Sequence, residues 1–353
     1  MDTIIAILSF VILLSVIVFI HELGHFLTAK AFGVYCGEFS IGMGPVLFKK
    51  QVGETQYSIR ALPIGGFVSM AGEADDTKAD ENVPFERTIN GIKTYQQVIV
   101  MLAGIIMNVI LAWVVFVGIN MAVGQRVEAQ PAIINEVVSD SIASEAGFKV
   151  GDKVTKIADT ENNVYDVKTA SEMVSVVNTF EGTLTFTIDR DGKILELEAT
   201  PVLDKESESK RIGVAFAPGK VVKISAVDAI GYGTKDLGEA STAVFDGLAN
   251  LLHGKNLSQL SGPVGIFKIS AQAAQSGILV FLRLLALFSV NIGIMNALPI
   301  PALDGGRVII VLAERLFGRK LNEKVMNSLI LGGFAVLIGL MLFATYNDIL
   351  RMF

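Results

Sequence analysis

The chemistry of this chain starts in one pentapeptide. His21-Glu22-Leu23-Gly24-His25 sets two imidazoles four residues apart, with a carboxylate beside the first. On a helix, residues i and i+4 share a face about one turn apart, so both rings can ligate a single zinc ion. Glu22 then stands next to water on that ion, within reach of its proton. The pentapeptide also occurs in ordinary helices, so its setting decides what it means. From Ile4 to Ile20 the only non-apolar residues are Ser9 and Ser15. An imidazole or carboxylate inside a bilayer costs on the order of 2.5 kcal/mol or more and is rarely kept without a role. Eighteen residues counted from Thr3, at ~1.5 Å each, cover about 27 Å. The motif therefore falls at the inner edge of the hydrocarbon, where water can reach it.

A catalytic zinc takes three protein ligands and leaves one position open. The chain has three histidines, and the last, His253, falls on the far side of the membrane in the topology derived below. The better third ligand is Asp304, in "NIGIMNALPIPALDGGRV". Pro299 and Pro301 break the helix just before it. Non-helical backbone at membrane depth is tolerated where it lines a cavity. Gly305 and Gly306 allow a turn and close backbone approach. A helix N-cap is the competing reading of Asp304. Asn296, near the same depth, fits either a hydrogen bond to substrate backbone or one to another helix. Gly104 and Asn108, four apart in another apolar run, read as helix packing.

These residues need membrane-spanning elements to position them. Hydrophobic residues make up 52% of the 353 and charged residues 18%, more apolar than an ordinary soluble chain. Four segments have the ~20 apolar residues that a bilayer requires: roughly 3–26, 97–123, 278–302 and 326–345. The first has no basic n-region and no small-residue cleavage pattern, so a retained span is expected rather than a signal peptide. Lys30, Lys49, Lys50, Arg60, Lys78, Arg87 and Lys93 lie between the first two spans. Arg307, Arg315, Arg319, Lys320 and Lys324 lie between the last two. The positive-inside rule puts both loops in the cytoplasm and both termini outside, together with residues ~124–277. Spans one and three then run in the same direction, which brings His21 and Asp304 to similar depth. The net charge of −6 with no basic face argues against a nucleic-acid partner. The single cysteine, Cys36, excludes an internal disulfide and a cysteine-rich metal site.

Between the spans, residues 37–70 read as a β element around a Gly53-Glu54 turn, with Pro63, Gly65 and Gly66 unsuited to helix. Such an element beside the histidines could pair with an extended peptide. Residues 72–87 are polar. Residues 124–224 read as an α+β module with a hairpin at Asp191-Gly192. Residues 225–277 read as an amphipathic connector leading back to the membrane.

The chain resembles the bacterial site-2 proteases, intramembrane zinc metalloproteases of the sigma-E-regulator type, over nearly its whole length. "HELGHFLTAKAFGV", "PIGGFVSMAGE" and "NALPIPALDGGR" are similar to the family's zinc motif, membrane-associated β element and Asn-x-x-Pro-x-Pro-x-x-Asp-Gly motif. "DSIASEAGFKVGDKVTKI" resembles the start of a bacterial PDZ domain, and "LSGPVGI" the segment before the third span. The resemblance implies a four-span α-helical protein of the bacterial inner membrane carrying one zinc ion per chain. It makes His21, His25 and Asp304 zinc ligands and Glu22 the general base. It makes Asn296 a substrate-positioning residue, with Pro299, Pro301, Gly65 and Gly66 in the substrate-binding segments. Its expected partners are the lipid bilayer and single-span membrane proteins, such as anti-sigma factors or remnant signal peptides. Two departures stand out. One PDZ segment is present where many relatives carry two, and Ile105 replaces the proline of a Gly-Pro-x-x-Asn motif. A membrane zinc protein without protease activity, whether transporter or PDZ scaffold, is the alternative. Intact Glu22 beside three ligands favours catalysis.

Overall fold

The computed structural model describes residues 2–73, 83–127, 129–161, 163–180, 182–204, 209–254, 261–319 and 321–351. In chain order the elements are α1 (Asp2–Ala31), β1 (Cys36–Val52), β2 (Thr55–Met70), α2 (Thr94–Val123), β3 (Gln125–Val127), β4 (Ile134–Val137), α3 (Ile142–Glu145), β5 (Lys153–Ala158), β6 (Val164–Asp166), α4 (Ala170–Thr179), β7 (Leu184–Arg190), β8 (Lys193–Ala199), β9 (Val202–Asp204), β10 (Ser209–Arg211), β11 (Val214–Phe216), β12 (Val221–Lys223), α5 (Ala226–Leu252), α6 (Pro263–Ser276), α7 (Ile278–Asn296), α8 (Asp304–Phe317) and α9 (Glu323–Leu350). They form two compact units, one of residues 1–122 with 226–353 and one of Val123–Ser225. Part of the polar segment 72–87, residues 74–82, lies outside the described residues.

Four helices of the first unit, α1, α2, α7 and α9, are long and apolar enough to cross a bilayer. At 30 residues, α1 and α2 each extend about 45 Å, longer than ~30 Å of hydrocarbon requires. Helix α1 therefore continues ten residues beyond His21. The sequence alone put the span at roughly 3–26 with the motif at its inner end, and the helix runs on unbroken past that end to Ala31. Helix α7 stops at Asn296, earlier than the apolar run suggested. Leu298 and Ile300 each precede a proline, which pushes them out of helical backbone. The connector is two helices: α5, and then α6 packed along α1, with Phe10 and Phe267 edge-to-face at 5.8 Å. Pro263 starts α6, and Asp348 of α9 accepts the Gly265 N–H at 2.7 Å in place of a local cap.

The β element is more than a hairpin. Residues 36–41 pair antiparallel on both edges, with Phe39 opposite Tyr57 on one and Val68 on the other. Residues 46–52 add a strand beyond 55–60, with Phe48 opposite Ile59. The order across the sheet is thus 66–70, 36–41, 55–60, 46–52. The sheet is fixed to the end of α1 by packing and charge. Phe39 meets Phe19 and Phe26 at ring-centroid distances of 5.7 and 5.0 Å. Glu54, at the hairpin turn, takes Lys30 at 2.6 Å and Arg87 at 2.8 Å. Hydrogen bonds from the Lys30 and Arg87 side chains hold the Glu54 carboxyl below its ordinary pKa.

The second unit is α+β. Strands β6-β5-β7-β8 form its largest sheet, over a core of Ile134, Ile157, Met173, Phe186 and Ile188. Asp191 and Gly192 both have positive φ, the backbone that a two-residue hairpin between β7 and β8 demands. Helix α4 carries a full capping box between Thr169 and Glu172. Asp152 is wholly buried and takes both Nε and Nη2 of Arg190, at 2.6 and 2.7 Å.

Candidate metal centre

Helical spacing brings the two imidazoles onto one face of α1, where both are buried, at 8% and 7% exposure. Their Nε2 atoms lie 3.2 Å apart. Asp304, the first residue of α8, turns its carboxylate to the same point. Its Oδ2 is 3.1 Å from Nε2 of His21 and 3.4 Å from Nε2 of His25. The N-cap position itself falls on Leu303, with no side-chain capping bond, so Asp304 does not act as that cap. The loop reaches this position because α8 starts directly against residues 297–301. A Cβ on Gly305 would meet Leu298 O at 2.7 Å, and one on Gly306 would meet Pro301 N at 2.6 Å.

The three donor atoms fit a metal on two grounds. First, Oδ2 of Asp304 is buried and accepts no hydrogen bond among the described residues, although two ring nitrogens lie within reach. Second, donors at about 2.0–2.1 Å from a tetrahedral zinc stand about 3.3 Å apart. The triangle here has sides of 3.1, 3.2 and 3.4 Å. Among the described residues, His21, His25 and Asp304 are the one cluster able to hold a metal. His253 is elsewhere, exposed at the end of α5 with Nδ1 on its own helix's Ala249 O.

The outward face of each ring is also determined. Nδ1 of His25 lies 2.8 Å from Val100 O. A carbonyl only accepts, so Nδ1 carries the hydrogen and Nε2 offers its lone pair to the metal position. Nδ1 of His21 faces Asn108 of α2 at 3.3 Å. Asn296, at the end of α7, reaches to 3.5 Å from Nε2 of His21.

A cavity of about 880 Å³ opens on this centre. His21, Glu22, His25, Asp304 and Pro301 line it, and Phe67–Met70 form another wall. That wall is the outer strand of the β element. Among the described residues, no strand pairs with its other edge. Gly66 begins it, and a Cβ there would lie 3.9 Å from Glu22 Cγ. Gly65 turns beside Met43, and Pro299 is exposed outside the cavity lining. Arg307 and Glu73 also line the cavity and pair with each other.

Gly104 and Asn108 serve more than helix packing. A Cβ on Gly104 would sit 2.7 Å from Cε1 and 2.8 Å from Nδ1 of His21, and closer still to Nε2 of His25. The signal for both was their i, i+4 spacing, the same as that of the two histidines.

Bilayer-length helices enclosing a His-His-carboxylate donor set with an adjacent glutamate define a membrane zinc metalloprotease. The chain belongs to peptidase family M50, whose family model spans residues 9–340. A relative in Clostridium perfringens is 35% identical over 338 residues, 95% of this chain and 96% of its own. The regulator of sigma-W protease RasP of Bacillus subtilis is 30% identical over 426 aligned positions, 98% of this chain and 99% of its own. The zinc metalloprotease RasP of Geobacillus kaustophilus is 31% identical, covering 100% of this chain and 99% of its own. The solved PDZ domain of the SdrC-like protein of Listeria monocytogenes aligns with 26% of this chain and 93% of its own, at 18% identity and a TM-score of 0.22.

Proposed function

We propose that the chain cuts peptide bonds within or at the edge of membrane-spanning segments of other proteins, with His21, His25 and Asp304 holding one zinc ion and Glu22 as general base. What zinc supplies when bound is Lewis acidity, enough to bring water to a pKa of about 7 and to polarise a carbonyl. Glu22, on the cavity wall, takes the proton of the attacking water and returns it to the leaving amide nitrogen. The Asn296 amide donates to substrate backbone. A substrate helix must unwind before its carbonyls can be reached. The outer edge of residues 66–68 supplies replacement hydrogen bonds, with Gly65 and Gly66 at its start. Pro299 and Pro301 keep the opposing loop non-helical, so that its backbone stays open to the substrate.

The substrates in this reading are single-span membrane proteins, such as anti-sigma factors or remnant signal peptides. The protein is set in the bacterial inner membrane with the centre near the cytoplasmic face. The basic loops after α1 and after α7 are cytoplasmic, and the termini and the α+β unit, read as a PDZ-like substrate filter, are outside.

The observation that carries this reading is the unbonded, buried Oδ2 of Asp304, within 3.4 Å of two ring nitrogens and beside Glu22. Glu22→Gln should lower cleavage of a single-span substrate by a factor of about 10² or more while zinc stays near one per chain. Asp304→Ala, His21→Ala and His25→Ala should lose both activity and zinc. Zinc retained as tightly in Asp304→Ala as in the parent, with loss in Glu22→Gln, would overturn the assignment.

A further inference from the structure

Asn108 is fully buried, and its surroundings contain a contradiction. Its Nδ2 lies 3.3 Å from Nδ1 of His21, while its Oδ1 is buried with no hydrogen-bond partner among the described residues. Nε2 of His21 is the atom in the donor triangle with Nε2 of His25 and Oδ2 of Asp304. If that nitrogen offers its lone pair to a metal, a neutral ring carries its hydrogen on Nδ1. Nδ1–H then faces the NH2 of Asn108, donor against donor, while an acceptor on the same side chain goes unused. The two orientations of a carboxamide are isosteric, and turning it by 180° places Oδ1 at Nδ1 instead. The NH2 then takes the place where the oxygen now has no partner. One donor–donor contact is removed and one hydrogen bond is gained. The backbone leaves little freedom for any other solution. Ser289 of α7 donates to Asn108 O at 2.7 Å, and the side chain is sealed between α1, α2 and α7.

We propose that Asn108 is a positioning residue of the metal centre: its side-chain oxygen accepts the Nδ1–H of His21, fixing the tautomer and ring angle that present Nε2 to zinc. The two histidines are then held by different means, His25 by the backbone carbonyl of Val100 and His21 by a side chain eight residues further along α2. The inference rests on the reading of His21 as a ligand. Outer-shell partners of this kind change metal affinity by roughly 10- to 100-fold when removed.

The zinc-loaded, full-length enzyme labelled with 15N-histidine tests this without any substitution, because the chain has three histidines. Nitrogen NMR should show two rings metallated at Nε2 and protonated at Nδ1, with the exposed His253 as the free reference. A ring metallated at Nδ1, or one lacking the Nδ1 proton, overturns the proposal. A spectrum with no metallated ring overturns instead the ligand assignment on which it rests. Two variants then separate hydrogen bonding from packing. Asn108→Leu keeps the volume and loses the acceptor, and should weaken zinc binding 10- to 100-fold in chelator competition. Asn108→Asp keeps an acceptor and should bind zinc more tightly than Asn108→Leu, with His21 still protonated at Nδ1. Leucine within twofold of the parent, or aspartate no better than leucine, overturns the proposal. Thermal unfolding of the metal-free variants checks that both fold, and if either does not, the spectrum of the unaltered enzyme decides.

Discussion

Replacing Gly104 with alanine adds one methyl group against the His21 and His25 rings, and the geometry sets its cost. The new Cβ would lie 2.7 Å from Cε1 and 2.8 Å from Nδ1 of His21. Comfortable non-bonded separations are about 3.5–4.0 Å, so the rings must withdraw by roughly 1 Å or α2 must retreat. Retreat has its own cost, because α1 and α2 touch through backbone at this level and would give up that packing. A Cβ on Gly24 would already lie 2.7 Å from the carbonyl carbon of Ala103. Moving α2 away would also stretch the 2.8 Å bond from His25 to Val100 O. A shift of ~1 Å in a catalytic group costs on the order of 10² in rate. Overpacking adds about 1–3 kcal/mol of destabilisation. Gly104→Ala should therefore lower kcat/KM on a single-span substrate by about 10²-fold, and zinc affinity should fall with it. Gly118, on the same helix with open space around it, is the control. Gly118→Ala should be neutral, or stabilising by about 0.5–1 kcal/mol through helix propensity. Chelator competition and cleavage assays on the purified variants measure both. If Gly104→Ala keeps zinc and activity within about twofold of the parent, the close approach of α2 does not position the histidines.

Three further outcomes follow from other parts of the molecule. Asp348→Ala removes the acceptor at the start of α6 and should cost about 1–2 kcal/mol, read as faster hydrogen exchange in α6, with Asp348→Asn losing less. Burial alone would raise the Asp152 carboxyl, but the Arg190 guanidinium and the Lys149 N–H outweigh it and hold the group below its ordinary value. Its stabilising contribution is thus present above the unfolded pKa of about 4 and is lost as pH falls through the lower folded value. Amide protection in β5 and β7 should drop over that acid range, and in Arg190→Ala it should drop at neutral pH by about 3 kcal/mol; unchanged protection would show that the pair is dispensable. For topology, a cysteine at Lys93 should be labelled only from the cytoplasm and one at Lys193 only from outside. Native Cys36 stays silent because burial pushes its thiol up to about 12. The reverse labelling pattern would refute the orientation.

How much of this was legible in the sequence follows from the range of each signal. His21, Glu22 and His25 could be read because helical periodicity acts within one turn, and an imidazole in an apolar run is conspicuous. Asp304 could be read because two prolines announce a break in the helix before it. The Asp191-Gly192 hairpin was equally local. The sheet order of the β element was not legible. A turn signal specifies the pairing of nearest strands, whereas residues 36–41 are also flanked by 66–70, across the whole element. Helix α6 was read only as connector, since its docking against α1 and its cap from Asp348 are supplied by distant residues.

Gly104 and Asn108 mark the boundary most sharply. A small residue four before an amide is what packed membrane helices contain in any case, so the pattern alone favours packing. What distinguishes this pair is the face it meets: two imidazoles at the same i, i+4 spacing on α1. Gly104 gives the rings room and Asn108 gives one of them a partner, so the two residues share one requirement. The rings can keep their Nε2 atoms 3.2 Å apart only while α2 stays close and bare at one turn and polar at the next. That requirement belongs to the pair of helices. It becomes readable only once α1 and α2 are placed side by side.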